Sequence, residues 1–169
     1  MQIDQGGIPH RDGGLVYDTN GLEVLTPQDC LRLLGSVPVG RIAYTDQALP
    51  AVQPVTFLLD NDAVLVRTGA GAQLASAARN AVVAFQVDQL DPESRSGWAV
   101  MVVGYAQEIT DPDEVSRIKQ LPLHAWFTTD HDHFIRVSIE LIDGRRLCQD
   151  AAHDATPDDQ PPLRPSHVV

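Results

Sequence analysis

The chain has 169 residues, with Lys+Arg 12 against Asp+Glu 23 and a formal net charge of −11. That balance argues against nucleic acid as the main partner, since phosphate binding needs a basic face to release counterions, and it disfavours an anionic membrane surface. The length fits one domain with terminal extensions, and 43% hydrophobic residues are enough for a core.

Cys30 and Cys148 are far apart and in no CxxC pattern, unlike a secreted disulfide framework. No apolar run approaches the roughly 20 residues that span a bilayer. Met1–Gly14 lacks the hydrophobic stretch of a signal peptide, so the expected address is the cytoplasm. Residues 1–22 mix Gly, Asp, Gln and Asn and read as a flexible leader. Residues 149–169 carry four Asp and four Pro with little to bury and read as a disordered acidic tail. The folded unit expected between them is 23–148.

Thr26 as N-cap and Pro27 in the first turn predict a helix through Leu34, closed by Gly35, with Cys30, Leu31 and Leu34 on its apolar face. Runs rich in Val, Ile, Phe and Tyr then predict strands at Val39–Thr45, Ala51–Leu59 and Ala63–Thr68. The second and third are joined at a tight Asp60-Asn61-Asp62 turn. A short helix is expected at Ala72–Arg79, followed by strands Ala81–Val87 and Trp98–Thr110. Asp111-Pro112-Asp113-Glu114 combines an N-cap, a first-turn proline and a capping-box acid, predicting a helix to about Gln120 that stops at Pro122. Phe134–Leu141 is the last predicted strand. Six such strands with small helices between them point to a mostly β fold, a closed or nearly closed antiparallel barrel. Trp98–Gly104 is apolar on both faces, and a second copy of the chain is the simplest outer cover.

Three stretches carry candidate chemistry. In Arg67-Thr68-Gly69-Ala70-Gly71-Ala72-Gln73-Leu74 a strand ends in a guanidinium and a hydroxyl, followed by a small-residue loop and a helix start. Backbone N–H groups and a helix N-terminus suit an anion there, and Arg67 suits a phosphate; an ordinary strand-to-helix turn explains the stretch equally well. Pro54-Val55-Thr56-Phe57 places a proline inside an apolar strand, which marks an edge or bulge. Backbone groups left unpaired there could meet a heterocycle, although protection of an edge strand is the plainer explanation. Ser96-Gly97-Trp98 sets a tryptophan after a flexible pair, able to wall a flat ring, while core packing is the commoner role.

His124, His131 and His133, with Asp130 and Asp132, offer a His-x-His pair but no further metal-ligand pattern, and they read as a solvated loop. No G-x-S-x-G elbow occurs and neither cysteine sits in an activating setting. A bound cofactor is therefore the expected source of any chemistry.

The order of several segments resembles the pyridoxamine-5′-phosphate-oxidase-like family. They are CLRLLGSVPVGRIAY from Cys30 to Tyr44, Leu49-Pro50, Pro54–Phe57, Arg67-Thr68, NAVVAF from Asn80 to Phe85, Ser96–Gly104 and Gly144-Arg145-Arg146. The resemblance covers about 23–148 and implies an FMN-binding split β-barrel that forms a homodimer, with flavin sites at the subunit interface. It implies that Pro54, Val55, Thr56 and Phe57 line the ring, and that Arg67, Thr68 and Gln73 lie at the phosphate and ribityl chain. It further implies that Ser96, Gly97 and Trp98 wall the pocket or reach it from the neighbouring subunit. Many members have a lysine where this chain has Gln73, which removes a charge from the phosphate site. The deazaflavin coenzyme and haem, both used by relatives, thus stand beside FMN. The function implied is a flavin-dependent oxidoreductase acting on a small organic substrate, with a deazaflavin-dependent reductase or a non-catalytic flavin or haem binder as alternatives.

Overall fold

A computed structural model of the chain describes residues 10–12, 14–69, 74, 80–123 and 133–147. In chain order these form β1 (His10–Asp12), β2 (Leu15–Tyr17), β3 (Glu23–Val24), α1 (Pro27–Leu34), β4 (Val39–Asp46), β5 (Leu49–Asp60), β6 (Ala63–Thr68), β7 (Ala81–Asp91), β8 (Ser96–Ile109), α2 (Pro112–Ile118), β9 (His133–Ser138) and β10 (Leu141–Leu147). The predicted helix at Ala72–Arg79 lies outside the described residues, except for its buried Leu74, as do Gln73, His124, His131, Cys148 and the tail 149–169. No helix among the described residues is long and apolar enough to cross a membrane.

The architecture is a mostly β split barrel. One antiparallel sheet runs β1-β2-β3-β10-β8-β7-β4-β5-β6-β9 and closes where β9 also pairs with β8. Six strands, β8-β7-β4-β5-β6-β9, thus make a ring, and β10 with the three short N-terminal strands forms a flap on one side. Strand β8 makes both possible. Its residues 97–103 pair with β10, and residues 106–109 pair with β9 on the same edge. The changeover falls at Gly104, where any Cβ would land on the carbonyl oxygen of Ser138, the last residue of β9. Only glycine admits that approach.

The predicted Phe134–Leu141 run is therefore two strands. The chain turns at Ile139-Glu140, with Ile139 N–H donating to Asp62 O and Glu140 N–H to Val103 O. Part of the stretch read as a leader is also strand: β1 and β2 form a hairpin, and β3 joins it to β10. Ion pairs from Arg145 to Asp18 at 2.9 Å and from Arg146 to Glu23 at 3.0 Å tie this segment down.

Helix α1 forms as its sequence dictates: the Thr26 hydroxyl accepts from Asp29 N–H, and Gly35 N–H returns to Leu31 O. Its buried face is Cys30, Leu33 and Leu34, whereas Leu31 is 36% exposed. Residues 30, 33 and 34 share one helical stripe and residue 31 lies a quarter-turn off it, which corrects the predicted face. The main core fills the ring with Ile42, Val55, Phe57, Val64, Val66, Val83, Phe85 and Val100, among others. A second cluster lies outside the ring, where Leu65, Phe134 and Ile109 are covered by Ile118 of α2 and by Leu123.

Candidate functional site

Alternation along β5 and β6 sorts the predicted contacts into two sets. Val55 and Phe57, each 5% exposed, belong to the main core, and Phe57 packs edge-on against Phe85 at 4.7 Å. Pro54 and Thr56 therefore face outward. On β6, Val64 and Val66 are core, so Arg67 faces outward and Thr68 inward. Thr56 and Arg67 are direct cross-strand partners. The outer set is Pro54, Thr56 and Arg67; Val55, Phe57 and Thr68 turn the other way.

Two features make this outer patch receptive. β5 pairs with β4 from Leu49 to Thr56 but with β6 only from Thr56 onward, so the Leu49–Val55 flank lacks β6 as a neighbour. Pro54 sits on that flank, where its missing N–H costs no ladder bond to β6. The Arg67 guanidinium is half-buried and aimed by its donation to Leu123 O at 2.9 Å, at the lip of the cluster that α2 covers. Helix α2 is held in turn by Asp111 as N-cap, by Arg117–Asp60 at 2.8 Å and by a Glu114–Arg136 pair.

Ser96, Gly97 and Trp98 are not brought to this patch within one chain. Trp98 is 9% exposed and lies in the main core, paired across to Gln89 and Arg146. It thus points to the opposite side of the sheet from Arg67, and in the single chain it packs the core. Gly97 has φ +148°, and a Cβ there would collide with the Gln89 carbonyl oxygen. It serves the close β7–β8 approach. The Ser96 and Ser94 hydroxyls lie 2.7 Å apart in the same turn.

The outer face also carries an apolar band. Register aligns Leu141, Val103, Ala84, Ala43 and Val52 across five strands. Val82 pairs with Tyr105 on one side of the band and Gln86 with Met101 on the other. Leu141 is 67% exposed, Val52 65%, Val82 58% and Tyr105 54%. The Met101–Gln86 row continues through Arg41, bonded to Asp88 at 2.5 Å, to Pro54, and Thr56 lies in the next row. Band and patch therefore belong to one continuous surface.

Sequence reasoning missed one polar pair. His133 opens β9, directly opposite Thr68, and its Nδ1 lies 2.9 Å from Glu108 Oε1 on β8. The residues are 25 apart in sequence and no local signal links them. Among the described residues, no group of three or more His, Cys, Asp or Glu side chains is placed to hold a metal. Burial pushes the Cys30 thiol up from its usual range, which suits a packing role.

A family profile described as Pyridoxamine 5'-phosphate oxidase matches residues 26–146. An uncharacterised protein of Mycobacterium tuberculosis is 38% identical over 132 residues, covering 75% of this chain and 86% of that protein. Among solved structures, the FAD binding protein from Mycobacterium smegmatis is similar at TM-score 0.61 and 35% identity, covering 73% of this chain and 95% of that one. The FAD and heme binding protein from the same organism shares the fold, with TM-score 0.58 and 16% identity over 80% of this chain and 75% of that one.

Proposed function

The chain belongs to the pyridoxamine 5'-phosphate oxidase family, and on that premise we propose that it binds a flavin nucleotide and acts as a flavin-dependent oxidoreductase on a small organic substrate. One observation carries the reading: Arg67 and Thr56 stand side by side on the outer face, next to the open flank of β5. A half-buried guanidinium near the end of a strand suits a phosphate, and a backbone flank that β6 does not pair suits the polar edge of a flat heterocycle. The residues present therefore fit the group. FMN and FAD share the phosphate that Arg67 would meet; FMN is the smaller of the two, and FAD is bound by the Mycobacterium smegmatis relative.

A bound flavin would supply hydride or electron transfer, and the chain would supply orientation and a dry wall. Among the described residues nothing closes that wall, and the band from Leu141 to Val52 is exposed on the adjoining face. A second copy covers such a surface by two-fold pairing, burying on the order of 800 Å² on each partner. The site is thus read as lying at a homodimer interface, in a cytoplasmic protein.

The test is uptake of FMN, FAD, riboflavin and the deazaflavin coenzyme, followed by absorption and by quenching of flavin fluorescence, with native mass spectrometry for subunit count. Saturable FMN or FAD binding to a dimer is expected. Arg67→Ala should weaken FMN by about 10- to 100-fold, the range of a charge-assisted hydrogen bond, and leave riboflavin nearly unchanged. Indifference to every flavin would overturn the reading. Steady reduction of electron acceptors by the loaded protein separates an oxidoreductase from a simple binder.

A further inference from the structure

The flank of β5 that β6 leaves open has a donor and acceptor pattern of its own. The Phe57 N–H donates to Pro38 O at 3.2 Å, which fixes the phase of the β4–β5 ladder. In an antiparallel pair the bonded residues alternate along each strand, so Leu49, Ala51, Gln53 and Val55 turn their main-chain groups toward β4. Pro50, Val52 and Pro54 turn theirs the other way, to the side where β6 pairs only from Thr56 onward. Proline has no N–H. The flank therefore offers the carbonyl oxygens of these residues and a single donor, the Val52 N–H.

That pattern selects its occupant. A strand added to this edge would need donors at Pro50, Val52 and Pro54 and would find one, so the two prolines deter a second chain from pairing here. What remains is one residue whose N–H and C=O point outward together. Such a couple matches a ring edge on which a carbonyl stands beside an N–H, the edge of a lactam or cyclic imide. Flavins and deazaflavins carry that edge on their pyrimidinedione ring, and a haem has none. Val52 lies four residues along β5 from Thr56, the cross-strand partner of Arg67, or about 13 Å at the rise of a strand. Val52 and Arg67 can therefore engage opposite ends of one ligand.

We propose that the Val52 main chain reads the cofactor's ring: its N–H donates to a ring carbonyl and its C=O accepts from the adjoining ring N–H. Pro50 and Pro54 keep the rest of the edge free of competing donors. The inference rests on the flavin reading and adds the chemistry by which this flank admits flavins and deazaflavins and turns haem away.

The experiment titrates riboflavin, and riboflavin methylated on the imide nitrogen, against wild type, Val52→Ala and Val52→Pro, with circular dichroism to confirm folding. Wild type should prefer riboflavin by about tenfold or more, the effect of leaving a desolvated acceptor unpaired. The Val52 side chain is 65% exposed, and Val52→Ala keeps the main-chain couple, so its preference should stay within about threefold of wild type. Val52→Pro removes the donor at a position where, as at Pro50 and Pro54, no bond to β4 is lost. It should fold, bind riboflavin about tenfold more weakly and separate the two ligands by less than about threefold. Equal affinity of wild type for both ligands would overturn the proposal whether or not Val52→Pro folds, and so would an unaltered preference in folded Val52→Pro. If wild type takes up neither flavins nor the deazaflavin coenzyme, the flavin reading fails and glutarimide, a simple cyclic imide, becomes the probe. A saturable shift of the Val52 amide resonance by NMR, absent with N-methylglutarimide, then supports an imide-reading edge, and no shift into the tens of millimolar refutes one.

Discussion

Replacing Gly104 by alanine tests the account of how the barrel is split. The new methyl group would land on the Ser138 carbonyl oxygen, a backbone atom that cannot swing aside as a side chain can. Relief requires the β9–β10 corner to move away from β8. That movement strains three hydrogen bonds: Tyr105 N–H to Ser138 Oγ at 3.0 Å, Glu140 N–H to Val103 O at 3.1 Å and Ile139 N–H to Asp62 O at 3.3 Å. At about 1 kcal/mol for each bond, with about 1–3 kcal/mol for overpacking, Gly104→Ala should cost about 4–6 kcal/mol. Domains of this size are stable by only about 5–15 kcal/mol, so the variant should be close to unfolding at 37 °C. Urea denaturation followed by tryptophan fluorescence measures the loss. Gly35→Ala is the matched control, because φ there is −75° and its Cβ would sit 3.6 Å from the nearest atom. A Gly104→Ala protein within about 1 kcal/mol of wild type would refute the claim that β8 changes partners at a contact only glycine allows.

Ala48 has φ +64° in the two-residue β4–β5 turn, beside Gln47 at +47°, so Ala48→Gly should stabilise by about 0.5–1 kcal/mol and raise Tm by a few degrees in calorimetry. Val103 lies mid-band on the outer face, and Val103→Arg should weaken self-association by at least about a hundredfold in analytical ultracentrifugation while the single chain keeps its circular dichroism spectrum. Burial pushes the Asp18 carboxyl up, but Leu22 N–H, Arg145 and Asn20 N–H outweigh it and hold the group below the usual carboxylate range. The stability this gives is present above the unfolded-state value and is lost as pH falls through the lower folded value. The Asn20 and Leu22 amide resonances should therefore shift together in acid, and Asp18→Asn should abolish that titration.

Much of the ring was legible because its strands are long and their apolar residues recur with period two. β4 to β8 emerge from that pattern, and the caps at Thr26 and Asp111 place both described helices. β10 was missed because Leu141-Ile142-Asp143-Gly144-Arg145-Arg146-Leu147 mixes charges and a glycine into a strand whose outward residues stay wet. The N-terminal strands have three, three and two residues, too few to show a period. They are fixed by Arg145 and Arg146, which lie more than a hundred positions away in sequence. At the candidate site, Arg67 was found through its residue type. Its separation from Thr68 follows from strand alternation, which sends neighbouring residues of one motif to opposite faces. The pairing of His133 with Glu108 depends on β9 meeting β8, a consequence of ring closure and not of any local motif.

The double engagement of β8 has a consequence for how the molecule comes apart. Its hydrogen bonds to β10 can be lost, with the N-terminal hairpin following, while the six-membered ring stays closed; losing those to β9 opens the ring itself. Amides of residues 141–147 should then exchange with deuterium through a low-energy, sub-global opening, and those of 134–137 only with complete unfolding. One strand thereby gives the protein a peelable outer layer over a cooperative centre.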